Sequence, residues 1–228
     1  MDIFIKRILN WWSILKIEGI YFFALGIIKY IYYRMIQRKY HFEKWHLIPC
    51  ELRPYAMNIV RFLNGIDNIE EKVVCEIGCG IGEIIRNVNA GEKFGLDIAL
   101  SAIGAARFLS LKIGDKTQYY HGSFDDIFLI RDLEKIDILI TVNFVHTIPF
   151  NMLRELYLSL LLKIQIKYII IDQKKNLGLK YKHDIYSLFQ NIGDEIKCID
   201  SYPGENVYLV KVRERIDGGK MVPNNPLI

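Results

Sequence analysis

The sequence predicts an α/β fold: a doubly wound, mostly parallel seven-stranded sheet with helices on both faces, preceded by an N-terminal helical extension. From Glu71 onward, strand-like apolar runs alternate with helical segments, which favours a parallel sheet covered on both faces. The last two strand-like runs are separated only by residues 203–205, too few for a crossover helix, so they predict an antiparallel hairpin. No proline occurs between Met1 and Ile48, and apolar residues dominate residues 3–40, which favours helix.

Seven segments have the apolar, β-branched and aromatic composition of strands. They lie at residues 72–78, 93–98, 118–123, 136–142, 167–173, 195–202 and 206–213. Helices are predicted near residues 82–89, 100–110, 151–163 and 180–190. A further helix is predicted from Pro54, because proline is favoured in a first helical turn and apolar residues follow at helical spacing.

The predicted elements divide the chain into three parts: an extension and linker at 1–53, an α/β domain at 54–216 and a flexible tail at 217–228. Residues 1–50 contain eight Lys or Arg and three Asp or Glu, whereas the rest of the chain is close to neutral. A domain that reads nucleic acid usually carries the basic surface itself, so nucleic acid is not predicted as a partner.

The extension has two interpretations, which the residues leave open. Its longest charge-free stretch, Gly19 to Ile28, has ten residues, whereas a bilayer-spanning helix needs about 20. Residues 1–40 therefore either cover the α/β domain or lie, with their aromatic and basic side chains, in the headgroup layer of an anionic membrane. Residues 41–54 are predicted to be a linker that folds over the domain.

The cysteines and the N-terminus indicate a cytoplasmic protein. The four cysteines, at positions 50, 75, 79 and 198, form no CxxC pair, so free thiols are expected rather than disulfides. No small-residue cleavage site follows the apolar N-terminal stretch, so no signal peptide is predicted. The expected location is the cytoplasm, with attachment to the inner face of the membrane if the extension binds lipid. The oligomeric state is not predicted.

A glycine-rich loop follows the first predicted strand and reads Glu76-Ile77-Gly78-Cys79-Gly80-Ile81-Gly82. Glycine allows a sharp turn and a close approach to a ligand, because no Cβ intervenes. The dinucleotide fingerprint GxGxxG would need glycine at position 83, where this chain has Glu83. A carboxylate at the start of the following helix would repel a pyrophosphate, so the loop favours a zwitterionic or cationic ligand.

These residues resemble the first motif, ExGxGxG, of the class I S-adenosylmethionine-dependent methyltransferases. The resemblance covers roughly residues 54–213 and implies S-adenosylmethionine as the cofactor. It implies that Glu76 favours the cationic methionine end of the cofactor, and that Asp97, at the end of the second strand, accepts hydrogen bonds from both ribose hydroxyls. The implied loop contacts are Gly78, Cys79, Gly80 and Gly82.

The adenine end of the cofactor is expected near the second and third strands. Ile98 follows Asp97 directly. After the third strand the family often has an Asp that receives the adenine amino group, and Ser123 stands at that position here. Phe124 or a backbone group would then supply this contact.

The methionine end is expected beside the fourth strand and the first helix of the domain. Asn143 follows the fourth strand, in the segment that flanks the methionine moiety in the family. Tyr55 is expected against the sulfonium, because an aromatic face attracts a cation. Arg53 is expected against the carboxylate.

Methyl transfer to a hydroxyl requires a positioned acceptor and a general base. The candidates are His146, Asp172 and His183, because they follow the carboxyl ends of the fourth and fifth strands. Each also has a structural interpretation: His146 and Asp172 as caps, and His183 as part of a solvated, lysine-rich loop. No metal site is predicted.

The acceptor class follows by elimination. Asn143 does not begin an NPPY or DPPY motif, and no Pro-Cys pair follows the fourth strand, which disfavours methylation of DNA bases. The expected acceptor is a small molecule, a sugar or a lipid-linked glycan, and O-methylation is favoured. Two alternatives remain: a non-catalytic protein that binds the cofactor or serves as a scaffold, and an NAD-dependent oxidoreductase.

Overall fold

The computed structural model describes residues 3–131, 133–175, 180–202 and 204–213. The predicted tail at 217–228 lies outside the described residues. Within the described ranges, no helix has an apolar stretch of the length that crossing a bilayer requires.

A seven-stranded sheet forms the centre of the protein and confirms the predicted fold class. The strand order is β3-β2-β1-β4-β5-β7-β6. Strands β1 to β5 are parallel to one another, whereas β7 runs antiparallel to both β5 and β6, as the predicted hairpin requires. The bounds are β1 Val73–Ile77, β2 Glu92–Asp97, β3 Gln118–His121, β4 Lys135–Thr141, β5 Gln165–Lys174, β6 Gly193–Tyr202 and β7 Glu205–Val212.

The central strands are buried on both faces, because their alternate residues enter two different cores. In β5, Ile169 and Ile171 belong to one hydrophobic cluster and Ile170 belongs to the other. Strand β1 alternates in the same way between Cys75 and Val74. Continuous apolar strands of this kind are typical of parallel sheets covered by helices on both sides.

In the part of the chain that the structure describes, five α-helices accompany the sheet. They are α1 Ile3–Tyr40, α2 Pro54–Asn64, α3 Leu100–Ile113, α4 Phe150–Lys163 and α5 Ile185–Phe189. Helices α4 and α5 contribute to the core on one face of the sheet, and α2 and α3 contribute to the core on the other. Helix α1 contains a kink at Gly19, whose φ of 81° is not helical.

The α-helix predicted at residues 82–89 is wrong. The structure has turns there, followed by one short 3-10 helix at Ile85–Asn87. The backbone explains the difference: Gly82 has a φ of 78°, which is not helical, and the N–H of Ile85 donates to the carboxylate of Glu76 at 2.9 Å instead of entering a helical hydrogen bond. The predicted helix at 180–190 is also shorter, since only Ile185–Phe189 is helical.

The inner face of α1 packs on the α/β domain. Tyr33 and Ile36 are buried with Ala105 and Leu109 of α3 in a third hydrophobic cluster. Lys29 forms an ion pair with Glu51 of the linker, with 2.5 Å between Nζ and Oε1. The extension therefore covers one side of the domain, and the linker lies directly over the glycine loop.

Candidate functional site

A small cavity lies where β1 and β4 end, at the carboxyl edge of the sheet. Ligands of open α/β folds bind at this edge. The cavity volume is about 20 Å³, which is room for about one water molecule. Its walls come from the linker, the glycine loop and the end of β4: Trp45, His46, Arg53, Glu76, Gly78, Cys79, Gly80, Ile81, Glu83, Ile84, Val142 and Asn143.

The glycine loop has the tight backbone that its sequence predicts. Gly78, Gly80 and Gly82 have φ of 73°, 55° and 78°, in the left-handed region that favours glycine. A Cβ on Gly78 would come within 2.5 Å of the ring of Phe144. The backbone N–H groups of Gly78 and Cys79 both donate to the carbonyl of Leu96, so these two donors hold the loop against β2.

Asp97 holds the loop from the other side. Its Oδ2 accepts from the backbone N–H of Gly80 at 2.7 Å, and its Oδ1 accepts from the N–H of Ala99 at 2.8 Å. A carboxylate has about four acceptor positions, so capacity remains for two ligand hydroxyls. Burial raises the pKa of Asp97, while these two N–H donors oppose the shift.

His46 of the linker covers the loop. The volume that a Cβ on Gly80 would occupy is filled by the His46 imidazole, and the ring of Trp45 lies 3.5 Å from the His46 ring, centroid to centroid. Burial, reinforced by the positive charge of Arg53, lowers the pKa of His46 to about 4, so this imidazole is neutral at physiological pH. The space above Gly80 can accept a ligand only when the segment that carries Trp45 and His46 moves away.

Glu76 and Arg53 both line the cavity. Glu76 is 3 % exposed, and burial raises its pKa to about 8. The N–H of Ile85 and the guanidinium of Arg53 favour the carboxylate and oppose this rise. The guanidinium of Arg53 donates to the hydroxyl of Tyr55, while its Nε is buried without a partner among the described atoms. A buried donor without a partner is costly, so this side of the cavity suits an anionic group and the Glu76 side suits a cationic one.

Glu83 links the loop to the N-terminal extension. It pairs with Arg86 and accepts from Tyr33 of α1. Burial alone would raise the pKa of Glu83, but the charge of Arg86 lowers it overall. Glu83 is therefore committed to an internal ion pair.

Asp172 and Asn143 form the edge of the site at the ends of β5 and β4. Asp172 Oδ1 accepts from the backbone N–H of Asn143 at 2.8 Å, and the side chain of Lys174 donates to Asn143 Oδ1. Asn143 itself has a φ of 73°, which is unusual for a residue other than glycine. Asp172 is 2 % exposed.

Glu205, at the start of β7, completes this edge and was not predicted. It lies beside Asp172, and burial together with that carboxylate raises the pKa of Glu205 to about 8. Its side chain also shares a hydrogen bond with that of Asp172. The antiparallel pairing of β7 with β5 places Glu205 opposite Lys174, a juxtaposition that sequence spacing does not reveal.

The two candidate histidines have different surroundings. His146 is half-buried in the turn after β4, its Nδ1 has no partner among the described atoms, and burial lowers its pKa, with Lys174 contributing. His183 is buried, and its Nε2 lies 2.9 Å from the carbonyl oxygen of Val145. His183 thus supports the turn that carries His146.

The residues expected at the adenine end are divided between surface and core. Ile98 is 75 % exposed beside Asp97. Ser123 caps a 3-10 helix, and both its N–H and its hydroxyl donate to Asp126. Phe124 is buried in the main core against Tyr157, so we leave its side chain out of the proposed site.

The glycine loop and Asp97 thus meet as the sequence predicts, and Asn143 and Asp172 are in contact at the neighbouring strands β4 and β5. Trp45 and His46 could not be assigned from the sequence, because their contact with Gly80 depends on how α1 and the linker pack. Among the described residues, no group of three His, Cys, Asp or Glu side chains is arranged to hold a metal ion.

Solved structures with a similar fold include methyltransferases that contain bound S-adenosylmethionine or S-adenosylhomocysteine. Magnesium protoporphyrin IX methyltransferase (ChlM) from Synechocystis PCC 6803, with bound SAM, is 13 % identical at a TM-score of 0.58, covering 78 % of this chain and 90 % of that one. An RNA methyltransferase from Salinibacter ruber, in complex with S-adenosyl-L-homocysteine, is 15 % identical at a TM-score of 0.50, covering 75 % and 97 %.

A third structure is the bifunctional kinase-methyltransferase WbdD, 18 % identical at a TM-score of 0.52, covering 71 % of this chain and 39 % of that one. No protein-family model matches the chain. A search of curated proteins also found no similar sequence. The strand order, the terminal hairpin and these likenesses together show that the chain has the fold of the class I S-adenosylmethionine-dependent methyltransferases.

Proposed function

We propose that this protein is an S-adenosylmethionine-dependent methyltransferase. The observation that carries the proposal is the contact between the glycine loop and Asp97, where the Asp97 carboxylate bonds the N–H of Gly80 at the carboxyl edge of the sheet. Glu76 and Arg53 add a carboxylate and a guanidinium on the cavity wall, which suit the ammonium and the carboxylate of an amino acid. The residues fit this cofactor once His46 leaves the space above Gly80.

The cofactor would supply an activated methyl group, so the protein must mainly position the acceptor and remove its proton. We assign cofactor contacts to Glu76, the glycine loop, Asp97 and Asn143, with Ile98 at the adenine end. At the acceptor side, His146 is the proposed general base, because its half-buried imidazole has a lowered pKa and an unpartnered Nδ1. A neutral imidazole can take a proton at physiological pH.

Asp172 is proposed to orient the acceptor together with Glu205. The two side chains share a hydrogen bond, and the acceptor positions that this bond leaves can accept hydrogen bonds from a hydroxyl. We therefore propose O-methylation of a small molecule, a sugar or a lipid-linked glycan. The acceptor of the porphyrin methyltransferase that shares the fold is itself a small molecule, which supports this class.

A non-catalytic binding or scaffold protein is the second candidate. It is favoured by one observation, that the imidazole of His46 fills the space above Gly80. An NAD-dependent oxidoreductase is disfavoured, because the loop leads into a short 3-10 helix rather than an α-helix whose N-terminus could bind a pyrophosphate.

Calorimetry and methyl-group labelling test the proposal. We expect the purified protein to bind S-adenosylhomocysteine but not NAD, and to transfer labelled methyl groups from S-adenosylmethionine to a component of a small-molecule or lipid extract. Binding without transfer to any extract would favour the scaffold. The absence of binding at any protein concentration that the calorimeter allows would refute both.

A further inference from the structure

The outward face of α1 is apolar and exposed. We define the outer stripe as Ile20, Tyr21, Ala24, Ile28, Ile31 and Met35. The exposed fractions are 77 % for Ile20, 72 % for Tyr21, 64 % for Ile28, 57 % for Ile31 and 56 % for Met35. At 3.6 residues per turn these six side chains fall within about 100° of arc, on the side of the helix away from the buried Tyr33 and Ile36.

The packing of α1 on the domain fixes this orientation. On the inner face, Tyr33 bonds the buried Glu83, and Gly26 lies so close to Leu52 that a Cβ would come within 2.7 Å of the Leu52 side chain. Helix α1 therefore cannot turn the outer stripe inward without breaking these contacts. Contiguous apolar surface of this kind marks an interaction site rather than ordinary exposed surface.

The charges around the outer stripe indicate the chemistry of its partner. Residues 19–40 contain four cations and no acid. Lys29 is paired with Glu51, while Arg34, Arg38 and Lys39 are exposed beside the C-terminal half of the stripe. Cations beside an apolar helix face attract anionic lipid headgroups, and the same cations repel a second copy of this face.

We propose that the outer stripe docks the protein on an anionic lipid surface, with α1 lying in the plane of the interface. The apolar side chains of the stripe enter the boundary between headgroups and acyl chains. Arg34, Arg38 and Lys39 contact the headgroups. This proposal rests on the surface of α1 and does not depend on the proposed methyl transfer.

Vesicle sedimentation of the full-length protein tests the proposal. Wild type is expected to bind vesicles of phosphatidylglycerol and phosphatidylcholine, and to bind phosphatidylcholine vesicles at least about tenfold more weakly. Ile28→Asn/Ile31→Asn should weaken binding to the mixed vesicles at least about tenfold. Ile113→Asn is the matched control, because it removes an isoleucine that is 66 % exposed at the end of α3, and it should bind like wild type.

The charge contribution is tested separately with Arg34→Gln/Arg38→Gln. This variant should lose most of the preference for anionic vesicles and most of the salt dependence of binding. If the double asparagine variant has a lowered melting temperature, the arginine variant still tests whether the outer stripe binds anionic lipid.

Three results would overturn the proposal. They are absence of binding to either kind of vesicle, equal binding by wild type and Ile28→Asn/Ile31→Asn, and a wild-type dimer in light scattering that the asparagine variant converts to monomer. The last result would make the outer stripe an interface between copies of this chain.

Discussion

Glu76 should release a proton when the cofactor binds. Its side chain is 3 % exposed on the cavity wall, and burial raises its pKa to about 8. At pH 7 about nine-tenths of the ligand-free protein therefore carries protonated Glu76. An ammonium group placed beside Glu76 favours the carboxylate form, so binding of a zwitterionic amino acid ionises it.

The size of the effect follows from these protonation fractions. Ionising Glu76 at pH 7 releases about 0.9 proton, and completing the protonation of the ligand's α-amino group, with an ordinary pKa near 8, takes up about 0.1. The net release is about 0.8 proton. The affinity for S-adenosylhomocysteine should rise about ninefold between pH 6 and pH 7, level off near pH 8 and fall above it as the ligand loses its own proton.

Isothermal titration in two buffers with different ionisation enthalpies measures the proton release directly. Glu76→Gln should abolish it and weaken binding at pH 8 by ~1.5–3 kcal/mol, the usual contribution of a hydrogen bond to a charged group. 5′-Methylthioadenosine, which has no amino acid group, should release no proton from wild type.

Glu205→Gln is the matched control for this measurement. The pKa of Glu205 is also raised to about 8, by burial and by Asp172, but Glu205 lies outside the glycine loop. This variant should keep the proton release of wild type. Equal binding enthalpies for wild type in the two buffers, or proton release that survives in Glu76→Gln, would refute the placement of the ligand's ammonium group beside Glu76.

Four further outcomes are expected. Asp97→Ala should weaken S-adenosylhomocysteine binding by ~1–3 kcal/mol in calorimetry, because ribose hydroxyls and loop amides lose their acceptor; unchanged affinity would mean that the ribose lies elsewhere. His46→Ala should speed cofactor association about tenfold in stopped-flow fluorescence, because binding would no longer await displacement of the imidazole; an unchanged rate would exclude this gating. Glu83→Gln should lower the free energy of unfolding in urea by ~3–5 kcal/mol, since Arg86 would stay buried without a counter-charge, and a loss under about 1 kcal/mol would contradict the ion pair's role. Because burial raises the pKa of Glu76 and of Glu205 to about 8, the folded state holds extra protons, so the stability of the ligand-free protein should fall as pH rises from about 5 to about 8. Glu76→Gln should remove about half of this dependence, because Glu205 retains its own share, and an unchanged or steeper dependence would contradict the raised pKa of Glu76.

The central strands were predictable because they are buried on both faces. Runs such as the one around Ile169 to Ile171 are apolar throughout and bounded by polar or turn residues, so their type and approximate limits are local properties of the chain. The terminal hairpin was equally local, since only residues 203–205 separate the two predicted strands, which is too few for a crossover. The α-helix predicted after the glycine loop does not form, because the N–H of Ile85 is bound by the carboxylate of Glu76, a tertiary contact that helical propensity does not include.

The candidate site likewise has parts that were predictable from the sequence and parts that were not. The glycine loop follows β1 and Asp97 ends β2. Because neighbouring parallel strands have their carboxyl ends at the same edge of the sheet, the contact between the loop and Asp97 was predictable from the motif. Glu205 comes from a strand that runs in the opposite direction, and its place beside Asp172 depends on the register of β7 against β5.

The sequence by itself determined the fold class, the tight loop and the carboxylate that holds it, because periodicity, glycine content and strand ends are properties of short segments. Only the tertiary structure decided that His46 covers Gly80, that Glu83 belongs to a buried ion pair, and that one face of α1 is left exposed. Those three features arise when the extension packs on the domain, and the free energy of that packing is shared among contacts between residues far apart in the chain.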